Sequence, residues 1–89
     1  MEFEWDPRKA AANQKKHGIS FDWATRVFLD ENRTEILDDR EDYGESRFVT
    51  TGLIEEFEIV VVYVLRTNAI RIISAREADP YEIEAYWNR

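Results

Sequence analysis

FEIVVVYVLRTNAIRIISAR, residues 57–76, decides the fold. Ile59 to Leu65 is an unbroken apolar run rich in Val. A run without polar alternation is what a strand covered on both faces looks like. A short helical segment is the rival reading, but three consecutive Val and a following Tyr favour strand. Arg66-Thr67-Asn68-Ala69 is short and polar, and Asn tolerates a left-handed turn. Ile70 to Ala75 resumes at once with β-branched residues. The stretch therefore predicts a hairpin at the centre of a sheet. Arg66 and Arg71 lie near its turn, and Arg76 lies where the second strand leaves the core.

Toward the N-terminus, Phe3 and Trp5 alternate with acidic residues, predicting a short strand. Asp6-Pro7 starts a helix, with Asp as cap and Pro at the first position, where its missing N–H costs nothing. Ala10 to Ala12 favour the helix, Lys15, Lys16 and His17 suit its negative C-terminal end, and Gly18 ends it. Ser20 caps a second helix, in which Phe21, Ala24, Val27 and Phe28 recur at helical spacing. Thr34–Leu37 and Ser46–Ile54 read as strands, the latter with a bulge expected at Gly52. Between them Asp38 to Gly44 reads as an acidic solvated loop, without the Asp/Gly spacing of a calcium loop. Glu55-Glu56 turns the chain into the hairpin. Asp79-Pro80-Tyr81-Glu82 has the form of a capping box opening a last helix. The order β-α-α-β-β-β-β-α predicts an α+β domain spanning 1–89, with a mainly antiparallel sheet of four to five strands, two N-terminal helices and one C-terminal helix.

The chain has 89 residues and a net charge of −7. A domain of this size buries roughly 60–65% of its unfolded surface, enough for one modest core. The absence of Cys excludes disulfides and thiolate metal sites, and no cofactor or metal is expected. No apolar run is long enough to span a bilayer, and MEFEWDP lacks the features of a signal peptide, so the expected location is cytoplasmic, away from membranes. Residues 31–42 hold six acidic and two basic groups, and residues 77–89 hold four and one. The overall field repels polyanions, so any role with nucleic acid rests on a local cluster of cations.

Three stretches, FEWDPRKAAANQKKHGISFDWATRVF (3–28), YGESRFVTTG (43–52) and RIISAR (71–76), followed by the Glu82…Tyr86 spacing, occur together and in order. In this the chain resembles the BrnT toxins, a branch of the RelE-like toxins of type II toxin–antitoxin systems. The resemblance implies a small RelE-like fold and an endoribonuclease that cleaves mRNA and stops translation. It also implies neutralisation by a cognate ribbon-helix-helix antitoxin, BrnA-like, through which alone the toxin meets operator DNA. The chain departs from the pattern at Glu77-Ala78-Asp79-Pro80, where a basic run is usual, and at Val64-Leu65, where a polar residue is usual.

Metal-independent RNA cleavage uses the neighbouring 2′-OH as nucleophile. It needs a base for that hydroxyl, cations for the charge building on phosphorus, and an acid for the leaving oxygen. The catalytic candidates are Arg66, Arg76, Glu45 and His17; Arg47, Arg71, Lys16, Tyr63 and Tyr86 are candidates for holding RNA. Arginine forks suit phosphate and aromatic rings can stack on bases. Each has a plainer reading. His17 and Lys16 complement a helix dipole, Glu45 and Arg47 form a surface pair, and Tyr86 and Trp87 pack with Ile83. Plain alternation puts Arg76 with Ser74 and Ile72, and Arg71 with Ile73 and Ala75, so only one arginine readily faces a single site unless Arg71 lies in the irregular backbone of the turn. The choice falls on Arg76, with Arg66 expected at the same rim. The alternative function is a non-catalytic RelE/ParE-like module acting through a protein target or only through its antitoxin. Under either function, three Trp, four Tyr and five Phe exceed what a small core hides, which points to a protein partner.

Overall fold

The computed structural model describes residues 2–38 and 44–88. The expected acidic loop lies almost wholly outside the described residues. The elements are β1 (Glu2–Glu4), α1 (Pro7–His17), α2 (Phe21–Ala24) with a 3-10 segment (Thr25–Leu29), β2 (Thr34–Asp38), β3 (Arg47–Ile54), β4 (Phe57–Leu65), β5 (Ala69–Glu77) and α3 (Pro80–Trp87). They form an α+β fold around a five-stranded sheet of order β1-β5-β4-β3-β2. Every pairing is antiparallel except β1 with β5.

The caps form as local chemistry dictates. Asp6 accepts from Arg8 N–H and Gly18 takes a left-handed φ of 74° at the end of α1. Ser20 accepts from Trp23 N–H. Asp79 and Glu82 complete a reciprocal capping box on α3. The second predicted helix is shorter than its apolar spacing suggests. It holds one α-turn and then tightens into the 3-10 segment, bringing Ala24 and Val27 fully into the core.

The hairpin β4–β5 turns where expected, with Arg66 N–H donating to Ala69 C=O at 2.8 Å. The left-handed non-glycine residue among those described is Glu55 (φ 56°) in the β3–β4 turn, not Asn68. Gly52 carries no bulge, since it pairs in register with Ile59. It is glycine for closeness, because a Cβ there would stand 2.8 Å from Val27 Cγ2 and 3.0 Å from Arg33 Cβ. The irregularity lies in β5. Val62 faces Ser74 and Tyr63 faces Ile72, so Ile73 is an extra residue with no opposite number.

One face of the sheet carries the core. Ile54, Ile59, Val61, Tyr63, Ile70, Ile72 and Ala75 meet Ile19, Phe21, Ala24 and Val27 from the helical segments, with Phe3, Trp5, Phe28 and Phe48 around them. Asn13 of α1 joins this packing through its amide. Its Nδ2 donates to Ala75 C=O (2.8 Å) and Ile19 C=O (3.1 Å), and its Oδ1 accepts from Ala75 N–H (3.1 Å). Since β1 pairs with β5 only as far as Arg71, Asn13 supplies at Ala75 the bonds a longer neighbouring strand would make.

The second face is covered at one end by α3. Arg76 binds Glu82, and Trp87 Nε1 donates to Glu58 at 2.8 Å. The Tyr86 hydroxyl donates to Asp30 Oδ2, which also accepts from Leu53 N–H, tying α3 to the 3-10 segment past the edge of β3. Among the described residues no further helix or strand covers this face, called here the open face. Among the described residues no helix is long and apolar enough to cross a membrane.

Candidate active site

Strand register sets the composition of the open face. Asp38 lies opposite Arg47, Arg47 opposite Val64, Val64 opposite Arg71 and Arg71 opposite Glu4. Directly opposed residues point to the same side of a sheet. One row across all five strands therefore reads Asp38, Arg47, Val64, Arg71, Glu4. Val64, flanked by the two arginines, is buried, and so is the Nε of Arg47. The next row toward α3 is Ile36, Val49, Val62, Ser74, and the row beyond it ends in Arg76 opposite Val60.

The extra residue Ile73 is what puts Arg71 and Arg76 on one side. Plain alternation separates them, because they stand five positions apart, an odd number. The bulge takes one residue out of the count, leaving the two opposite Val64 and Val60, four positions apart, so Arg71, Ser74 and Arg76 share the open face while Ile72 and Ala75 share the core. The expectation that only one of the two arginines faces the site is corrected on this ground.

Arg66 sits in the turn, its Nη2 3.5 Å from Glu45 Oε1. Both groups are well exposed. Glu45, Arg47, Arg66 and Arg71 therefore gather at the end of the sheet marked by the β4–β5 turn. Arg76 does not join Arg66 there. It lies opposite Val60, about 20 Å along β4 from the turn at 3.3 Å per residue. Its guanidinium is held by both oxygens of Glu82, at 2.7 and 2.8 Å. Those hydrogen bonds hold the Glu82 carboxyl below its ordinary value, against the opposing effect of its partial burial. Between the two ends lies a cavity of about 430 Å³ lined by Ile36, Asp38, Val49, Val62, Ser74 and Arg76 among others.

Other expected site residues lie elsewhere. Tyr63 is 3% exposed on the core face, stacked against Phe48 and edge-on to Phe28. Burial first, and then its hydrogen bond to Glu35, raise its hydroxyl pKa well above the ordinary phenol value. Such a group neither touches RNA nor gives up a proton readily. Tyr86, also 3% exposed, is engaged with Asp30, so it packs instead of stacking on a base. Lys16 and His17 end α1 on the core side of the sheet. His17 lines a separate cavity of about 510 Å³ with Trp23, Phe57 and Glu77, away from the arginine row.

Sequence reasoning missed Glu4 and Glu82 as arginine partners and Ser74 as a cavity residue. Glu4 carries the one available signal, its alternation in β1; the pairing of Arg76 with Glu82 crosses a helix start and has no sequence period.

No curated protein matches the sequence significantly. The sequence model of the family described as "Ribonuclease toxin, BrnT, of type II toxin-antitoxin system" matches residues 5–82. That span runs from Trp5 into α3 and takes in β2 to β5, Arg47, Arg71 and the Arg76–Glu82 pair, so the chain belongs to the BrnT family of ribonuclease toxins of type II toxin–antitoxin systems.

Proposed function

We propose that this toxin cleaves single-stranded mRNA on the open face of its sheet without a metal ion, and that the scissile phosphate sits at the Arg47–Arg71 row. The observation that carries the reading is the bulge at Ile73, which aligns Arg71 and Arg76 with Arg47 on one face. Arg47 and Arg71 stand two strands apart, about 10 Å between backbones. Two long forked side chains can close that gap on one phosphate and hold the charge that builds on its oxygens. Glu45, beside Arg66, is the base that takes the 2′-OH proton as that oxygen bonds phosphorus. The 5′ oxygen leaves with a proton from solvent, giving a 2′,3′-cyclic phosphate and a 5′-OH. Arg76 lines the cavity farther along the RNA path. Its partner Glu82 makes it a weaker claimant for the reacting phosphate than Arg71, whose pairing with Glu4 is long (3.9 Å) and partly exposed. Such a pair contributes little and yields to phosphate readily.

The fold reading that goes with this is RelE-like and cytoplasmic. The family brings a protein antitoxin, read here as a BrnA-like ribbon-helix-helix protein that alone contacts operator DNA. The pairing of Arg66, Arg71 and Arg76 with carboxylates is what favours the second reading, a module that acts only through protein contacts.

The deciding experiment is cleavage of single-stranded RNA in EDTA by the purified toxin and its variants. Arg71→Ala is expected to lose about 100-fold or more in rate, the usual effect of deleting one transition-state donor, while melting near the parent. His17→Ala is expected to cut at close to the parent rate. Full activity in Arg71→Ala removes the row from the mechanism. No cleavage by the parent favours the protein-contact reading.

A further inference from the structure

We propose that β2 is the strand on which the antitoxin docks, by adding an extended segment to its outer edge. β2 is the last strand of the sheet, and among the described residues no strand lies against its outer side. Edge strands are ordinarily blunted by Lys, Pro, bulges or an inward-pointing charge. Thr34–Asp38 reads TEILD, pairs with β3 in unbroken register, and has none of the first three devices. Its Glu35 is occupied by Arg33 at 2.6 Å and by the Tyr63 hydroxyl, so it does not guard the edge.

Ile36 and Leu37 are 66% and 53% exposed. Consecutive strand residues point to opposite faces, so this edge is apolar on both sides. The other flank differs. β1 has three residues, two of them Glu, and Asn13 occupies the backbone of Ala75 beyond it. Only the β2 flank offers main-chain bonding together with apolar side chains.

Charge selects the occupant. Within residues 31–38 the acidic groups Glu31, Glu35 and Asp38 outnumber the one basic group, Arg33. An added strand that alternates apolar residues beside Ile36 and Leu37 with Lys or Arg matches this surface, with main-chain bonds giving affinity and side chains giving choice. The occupant is a basic, extended segment of the antitoxin that membership of a type II family implies. Ile36 also lines the 430 Å³ cavity of the open face. A segment on β2 therefore lies at the mouth of the proposed RNA path. That inhibitory consequence rests on the reading of the open face as the cleavage site; the docking itself does not.

The test compares amide hydrogen exchange in the free toxin and in its co-purified complex with the protein encoded by the adjacent gene. Amides of residues 34–38 are expected to gain protection in the complex. The double variant Ile36→Lys with Leu37→Lys, at positions exposed enough to leave folding intact, is expected to lose antitoxin affinity by about tenfold or more while melting near the parent. An intact complex without protection at 34–38 overturns the proposal. So does protection that rises with concentration in the free toxin alongside a dimeric mass, since the occupant is then a second copy. RNA cleavage by the free parent is scored separately. Its absence defeats the open-face reading and leaves the exchange result to decide docking.

Discussion

Glu82 serves two masters at one carboxylate. It accepts from Asp79 N–H to close the capping box of α3, and it grips Arg76 with both oxygens. Its pKa is lowered chiefly by the Arg76 hydrogen bonds. A carboxyl whose folded-state pKa is depressed adds stability above its unfolded value and loses it as pH falls through the folded value. The parent is therefore expected to melt above Glu82→Gln at neutral pH. The gap should close progressively below the ordinary value of 4.5. Thermal melts of both proteins from neutrality down to about pH 3 check this, and a gap that persists unchanged at the acid end contradicts it. Asn13 is the other residue whose small side chain decides much. Asn13→Ala strands the N–H and C=O of Ala75 in a buried position. A loss of about 2 kcal/mol is expected, or roughly 10 °C in the melting temperature of a chain this size.

At the scale of elements, β5 shows both what a sequence displays and what it conceals. The hairpin, the helix caps and the succession of elements along the chain follow from local rules, whereas the parallel pairing of β1 with β5 does not. An apolar run, a polar turn, Asp-Pro and Ser caps each act over a few residues and need no knowledge of the remainder. The bulge at Ile73 is different. Ile-Ile-Ser alternates as acceptably with one register as with the other, and the choice falls to packing. Ile72 and Ala75 both fill the core only if one residue between them is left unpaired. Simple counting assigns Arg71 and Arg76 to opposite sides, and the unpaired Ile73 reverses it. Gly52 misled in the reverse direction, because a glycine in a strand signals either a bulge or a close neighbour, and the neighbour Val27 is remote in sequence. The register leads to a counterintuitive expectation. Deleting Ile73 leaves Ser74 opposite Val62 and Ile72 opposite Tyr63, with Arg71 still on the open face. The deletion variant should fold cooperatively, retain RNA cleavage and lose no more than about 10 °C in melting temperature. A chain that fails to fold, or folds without activity, contradicts the assigned faces.

Over the whole molecule, a net charge of −7 coexists with two arginines, Arg47 and Arg71, at the middle of one row on a single face. Long-range attraction to RNA is weak in such a protein, and recognition depends on short-range contacts made by few arginines. Binding to single strands is expected to fall with salt at a slope of about −2 in log affinity against log salt, at roughly 0.7 per phosphate neutralised for two to three contacts. A titration of a non-cleavable RNA analogue across salt concentrations measures it. A slope several times steeper points to a larger basic surface than the open face provides.

The amide of Asn13 also governs how far assembly can run. With Ala75 sealed and β1 short and acidic, the sheet is extensible from one flank alone. A building block with a single growing edge cannot propagate into a filament. Whatever pairs with that edge terminates the array.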